Sequence, residues 1–164
     1  MRVRMVLVAL VGLLSVAGCA AAAEPAEAYE QADVRFSQQM ITHHRETIQL
    51  AELGAERGNA YVKELSGKII PAEQADIKTM SSWLTSWKEQ IPAEAEAAKR
   101  GSELPAGSGF ERGWLTLLSG HLEHGIHMAK EVQSAGKHQP TRSLADRIVR
   151  EQGEQLAEIG KRLA

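Results

Sequence analysis

A chain that can be laid on itself without a gap is confined to few folds, and this one can be. A shift of 78 positions brings Asp33 onto Glu111, Phe36 onto Trp114, Met40 onto Leu118 and His43 onto His121. Further along, Ile48 meets Ile126, Ala51 meets Ala129, Gly58 meets Gly136, Glu73-Gln74 meets Glu151-Gln152, and Asp76 meets Glu154. Aligned Ile and Ala would follow from any two amphipathic helices. Aligned histidines and a repeated Glu-Gln pair do not. Each copy contains two long helix-periodic runs separated by a glycine stop, Gly58-Asn59 in the first and Gly136 in the second. The repeated unit is therefore an αα-hairpin. Two hairpins that each expose an apolar stripe bury those stripes against one another as an all-α, antiparallel four-helix bundle. Ala, Leu, Glu, Gln and Lys dominate and β-branched runs are scarce, as that class requires.

The expected helices run from Glu30 to Arg57, Ala60 to Gln90, Gly109 to Ser134 and Thr141 to Leu163. Pro71 predicts a kink or a restart inside the second. Gly136 to Pro140 reads as a turn, with a solvent-exposed His138. The bundle domain is residues 31–164, with repeat one at 31–92, a linker at 93–108 and repeat two at 109–164.

The chemistry lies in the first helix, in Phe36-Ser-Gln-Gln-Met40-Ile-Thr-His43-His44. On a wheel of about 100° per residue, Phe36, His43, His44, Thr47, Leu50 and Ala51 all fall within roughly 80° of Met40. Arg45, Gln49 and Glu52 fall on the other side. Both histidines thus face the stripe that meets partner helices. A buried imidazole needs a partner, since an unsatisfied buried polar group costs about 1–3 kcal/mol. That partner is either a neighbouring side chain or a metal ion. Adjacent helical residues point about 100° apart, so the two rings are not expected to chelate one ion with equal ease.

The second copy is degenerate. Leu122 stands where the first copy has His44, and His124 appears where it has Glu46. His127 matches Gln49 and reads as a surface histidine. In the second helix Glu73 falls in the middle of the apolar face formed by Ile70, Ile77, Met80, Leu84 and Trp87, with Asp76 at its side. A carboxylate there is costly unless paired or bound to metal. In the fourth helix the central polar residue is Gln152, and Glu151 and Glu154 lie further out. If the copies pair about a pseudo-twofold axis, His43 and His121 approach across the bundle, with Met40, His44, His124 and Glu73 nearby. The candidate metal ligands are therefore Met40, His43, His44, Glu73, His121 and His124. Imidazole with thioether suits copper, above all Cu(I); imidazole with carboxylate suits zinc, iron or Cu(II).

The first residues read as an export signal. Arg2 and Arg4 form a positive start, and Val6 to Leu14 form an apolar run too short to span a bilayer comfortably. Val16-Ala17-Gly18-Cys19 resembles a bacterial lipobox, in which the cysteine is lipidated and becomes the mature N-terminus. This gives a signal peptide at 1–18, membrane lipid as a partner through Cys19, and a tether at 19–30. The expected location is the cell envelope, facing outside the cytoplasm. Cys19 is the only cysteine, so no intrachain disulfide can form. The net charge of −2 argues against a nucleic-acid partner.

These residues resemble the domain-of-unknown-function 305 family. Its first element reads here Asp33-x2-Phe36-x3-Met40-Ile-Thr-His43-His44-x3-Ile48-x2-Ala51. Its second reads Gln74-Ala-Asp76-Ile77-x2-Met80-x2-Trp83-Leu84. The resemblance covers roughly Gln31 to Ala164. In the second copy Leu118 and Leu122 replace the family's usual Met and His. The resemblance implies a ferritin-like bundle, exported and often lipid-anchored, with members linked to copper binding and copper resistance. It brings no established enzymatic activity.

Three functions follow as expectations. The first is a cell-envelope protein that sequesters or hands on a metal, copper foremost and zinc or iron after it. The second is a ferritin-like oxidase, although Glu73-x2-Asp76 and Glu151-x2-Glu154 lack the histidine of the two Glu-x2-His motifs such enzymes use. The third is a metal-free structural or interaction bundle.

Overall fold

A computed structural model describes residues 28–93, 103–107 and 109–164. The expected signal peptide, Cys19 and most of the expected tether and linker lie outside the described residues. Four helices account for the rest: α1 Gln31–Arg57, α2 Ala60–Trp87, α3 Gly109–Ala135 and α4 Gln139–Leu163. No described residue is in a strand, and no described helix is long and apolar enough to cross a membrane.

The packing follows the repeat. α1 pairs with α2, α3 with α4, and the two hairpins meet along α1 and α3. α1 and α3 cross antiparallel, because Gly54 late in α1 lies against Trp114 early in α3. A Cβ at Gly54 would stand 2.7 Å from the Trp114 ring. The missing side chain lets Trp114 bury completely and donate its indole N–H to the Leu50 carbonyl at 2.7 Å. Since α2 runs back beside α1, the chain must travel the length of the bundle before α3 begins, the single long crossover of a ferritin-like topology. Arginines of α1 tie its described ends. Arg45 donates to the carbonyls of Pro92 and Ala93 at 2.8 and 3.0 Å, and Arg57 to those of Leu104 and Pro105 at 3.2 and 3.3 Å.

The apolar core is split in two. One cluster, around Phe36, Met40, Met80, Leu84, Met128 and Val132, fills the end where α1 starts. The other, around Leu50, Ile69, Trp114, Leu118, Leu122 and Ile159, fills the opposite end. Between them lie buried polar side chains: His43, His44, Thr47, Glu73, Asp76, His121 and Gln152.

Three local expectations are corrected: a restart of the helix at Pro71, the end of α2 at Gln90, and the exposure of His138. α2 passes through Pro71 as one continuous helix. Pro71 and Gly67 are both exposed, so the carbonyl that loses its amide partner faces water and the missing bond is cheap. α2 stops at Trp87 rather than Gln90, because Lys88 adopts φ 61°, ψ 31°, a left-handed cap. His138 is buried, not exposed. It caps α4, with Nδ1 accepting from the Thr141 amide at 3.3 Å, and its ring meets Trp83 and Trp87 edge-on at 5.1 and 4.9 Å between centroids. Its helix accordingly starts at Gln139, with Pro140 in the first turn where a missing N–H costs nothing.

Candidate metal centre

The consecutive positions of His43 and His44 decide the site. On α1 their rings are 5.9 Å apart and inclined by 61°, so each looks at a different helix. His43 faces α3 and His44 faces α2.

His43 and His121, 78 residues apart, meet at the pseudo-twofold axis. Their rings stack with centroids 4.0 Å apart and planes within 5°. Nε2 of His43 lies 2.9 Å from the His121 carbonyl, and Nε2 of His121 lies 3.2 Å from the His43 carbonyl. A carbonyl can only accept, so both Nε2 atoms carry the proton. Nδ1 of His43 is then left with a lone pair, and it is buried with no hydrogen-bond partner. Burial, reinforced by the adjacent His121, pushes the His43 pKa down to about 3, so this imidazole is neutral at physiological pH. The close approach needs Gly125 on α3, where a Cβ would stand 2.9 Å from His43 Cε1 and 2.6 Å from Gln152 Oε1.

His44 sits between two acids of α2. Its Nδ1 is 3.6 Å from Glu73 Oε1 and its Nε2 is 3.6 Å from Asp76 Oδ2. Both separations exceed a normal hydrogen bond, so each ring nitrogen faces a carboxylate without being hydrogen-bonded to it. Glu73 is buried, which pushes its carboxyl up to about 7; His44 and Thr47 act in the opposite direction. Burial also raises Asp76, but His44 and the Arg147 guanidinium outweigh it and hold that carboxyl below its ordinary range. Arg147, from α4, pairs with Asp76 and lies 3.2 Å from Glu151. A pair of ionisable groups of unlike tendency therefore flanks one imidazole, a pattern typical of functional sites.

The structure divides the six expected ligands into groups. His44 and Glu73 are together. His43 and His121 are together on the other side of α1. His124 is exposed, with its ring 5.7 Å from that of His43, and does not join His44. Met40 is fully buried one turn before the histidines, in the core cluster that also holds Met80 and Met128. Sequence reasoning left out Asp76 as a site residue by placing it at the side of the apolar face. Its signal was its position three residues after Glu73, on the same helical face. Among the described residues no three His, Cys, Asp or Glu side chains are already gathered as a metal cage. The donor chemistry suits a metal all the same, divided between two sides of α1: His44 with Glu73 and Asp76 toward α2, and Nδ1 of His43 toward α3.

Fold and site together define a duplicated-hairpin bundle with an imidazole and carboxylate belt between two apolar ends. The chain belongs to the family described as domain of unknown function DUF305, whose model matches it twice, over residues 33–105 and 102–163. Among solved structures, it is similar to CopM in the Cu(II)-bound form, at 22% identity and a TM-score of 0.72, over 80% of this chain and 95% of that one. CopM in the Cu(I)-bound form matches at 24% identity and a TM-score of 0.70, over 79% and 93%. A DUF305 fragment from Deinococcus radiodurans matches at 22% identity and a TM-score of 0.71, over 82% and 96%. At these identities the likeness is one of fold. No curated protein matches the chain.

Proposed function

We propose that this is a cell-envelope copper-binding protein, which sequesters the ion or hands it on. The observation that carries the reading is the buried set of imidazole nitrogens on α1 that make no hydrogen bond: Nδ1 of His43 and both ring nitrogens of His44. A structural histidine would be hydrogen-bonded at this depth, since leaving such an atom unsatisfied costs about 1–3 kcal/mol. A cation recovers part of that energy by taking the lone pair of His43 Nδ1 or the single lone pair of His44, whose other ring nitrogen keeps its N–H for a carboxylate. Copper is favoured over zinc or iron because neutral imidazoles lie beside a methionine-containing core, a donor set that accepts Cu(I), while Glu73 and Asp76 serve Cu(II). The fold it shares with CopM, solved in Cu(I)- and Cu(II)-bound forms, supports the same choice. His44, Glu73 and Asp76 would hold the ion on the α2 side. His43 would offer Nδ1, with Met40 and His121 as helpers. The signal peptide at 1–18 and lipid on Cys19 would place the domain outside the cytoplasm, held to the membrane by its tether.

Titration calorimetry of copper into the mature protein tests this. His43→Ala and His44→Ala should each weaken binding, whereas Lys130→Ala, on an exposed residue of α3, should not. No binding by the wild type would leave a metal-free bundle with a polar centre. Cys19→Ala should release the protein from the membrane fraction; a wild type already soluble would refute the anchor.

A further inference from the structure

An open cleft of about 1140 Å³ runs between α1 and α3. Residues from both copies line it at equivalent positions: His43 and His121, Glu46 and His124, Leu50 and Met128. The pseudo-twofold axis therefore passes through it, and its two walls share one backbone plan. Their chemistry differs. Where copy one has Glu46, Gln49 and Leu50, copy two has His124, His127 and Met128. These three are spaced i, i+3 and i+4 on α3, so they share one helical face. His127 and its neighbour Glu131, 3.4 Å away, also line the cleft. Among the described lining residues Glu46 and Glu131 alone carry a formal charge at neutral pH, and none is Lys or Arg. The described part of this surface favours cations over anions.

The cleft also leads inward. The ring of His124 is 5.7 Å from that of His43, and the ring of His43 is 5.9 Å from that of His44. His43 lines the cleft floor while remaining 4% exposed, so it is the junction between solvent and the buried acids.

We propose that the cleft wall of α3 is a second, outer cation site, with His124, His127 and Met128 as ligands, through which a soft or borderline transition-metal ion reaches His43. Two imidazoles and a thioether select copper or silver over calcium or magnesium. Copy two, in this account, lost the inward histidine at position 122 and gained outward ones at 124 and 127. The inward destination of the ion rests on the copper reading above; the outer site itself does not.

The test is the stoichiometry of Cu(II) by equilibrium dialysis, with loading followed by stopped flow, on the wild type, His44→Ala and His124→Ala/His127→Ala. Both altered histidines of the double variant are exposed, so the fold should survive. The wild type should hold an ion at each site. The double variant should bind one ion fewer and fill the inner site more slowly, and His44→Ala should keep the cleft ion. Binding by the double variant at the wild-type stoichiometry and rate would overturn the outer site and leave the copper reading intact. Full binding by His44→Ala with none by the double variant would keep the outer site and overturn the inner one. Absence of binding by the wild type would overturn both.

Discussion

At position 44 the first copy holds a histidine between Glu73 and Asp76; at the equivalent position 122 the second copy holds a leucine, fully buried in an apolar cluster. The acids follow suit. Glu73 and Asp76 are buried, while their counterparts are half-buried at Glu151 and exposed at Glu154. Once the inward imidazole is gone, nothing inside the bundle offsets the cost of burying a carboxylate, and the acids turn toward water. The backbone plan therefore does not require a buried imidazole and acid set at this position. Copy two keeps His121 and Gln152 buried but accepts a leucine at 122 with no buried acids beside it, which makes the His44, Glu73 and Asp76 set of copy one a feature kept for another reason.

Exchange of the two residue types tests that reading most sharply. His44→Leu gives copy one the side chain its twin already tolerates. It should fold, with an unchanged helical circular-dichroism spectrum, and lose copper affinity by on the order of 100-fold, since even an outer partner of a metal ligand is worth about 10–100-fold. Leu122→Ala should do the opposite, leaving copper affinity close to wild type and costing about 2–5 kcal/mol in urea unfolding through the cavity it leaves. Copper binding by His44→Leu at wild-type strength would end the asymmetry argument.

The ends of the bundle repeat the comparison. Asp33 and Glu111 are equivalent, and each reaches the loop of the other hairpin. Fully buried Asp33 accepts through Oδ2 from the amides of Glu30, Lys137 and His138 at 2.8, 3.0 and 3.2 Å. Glu111 accepts from Asn59, the equivalent of Lys137, at 2.6 Å, with its side chain 35% exposed. Asp33→Ala strands three amides and should cost about 2–3 kcal/mol; Glu111→Ala leaves groups that water can reach and should cost about 0.5 kcal/mol. Equal costs in thermal unfolding would mean that the copies are bound alike at their ends.

Gly125 and Thr47 are likewise equivalent, and only one can carry a side chain. Gly125→Ala pushes a methyl into His43, whose ring is fixed by the paired carbonyl contacts, and should cost about 1–3 kcal/mol as overpacking. Gly120→Ala, five residues earlier with nothing within 4 Å of the new methyl, should stabilise by about 0.5–1 kcal/mol through helix propensity. Chemical denaturation of the pair separates packing from propensity.

The frame of this molecule was legible before any coordinates. The offset of 78 predicts that His43 and His121 meet, and they do, each donating to the other's carbonyl. The helical wheel of α1 predicts which residues are buried because periodicity is a property of one helix alone. What it could not predict was anything set by a second helix. Asp76 was placed beside the apolar face of α2, but Arg147 of α4 reaches it and makes its burial affordable. His138 was read as a turn residue open to solvent, but Trp83 and Trp87, from a helix some fifty residues earlier in the chain, close over it. Pro71 predicted a kink or a restart, and its position on the outer face lets the helix run on without a restart.

The last prediction concerns protons, and it too belongs to copy one alone. Burial raises Glu73 from 4.5 to about 7, so between those values the folded protein keeps a proton that the unfolded chain has lost. Stability then falls as pH rises through that window. His43 behaves oppositely. Its pKa is lowered from 6.5 to about 3, so between those values the unfolded chain holds the extra proton and stability rises with pH. From pH 4.5 to 6.5 the two oppose one another, each with a slope of at most about 1.4 kcal/mol per pH unit. The metal-free wild type should therefore show little pH dependence from this pair there. Glu73→Gln removes one side of the balance, and its urea midpoint should climb with pH across the window. His43→Phe removes the other, and its midpoint should fall. A Glu73→Gln profile as flat as the wild type would show that Glu73 is not holding a proton beside His44, and that the buried acid enters the site already ionised.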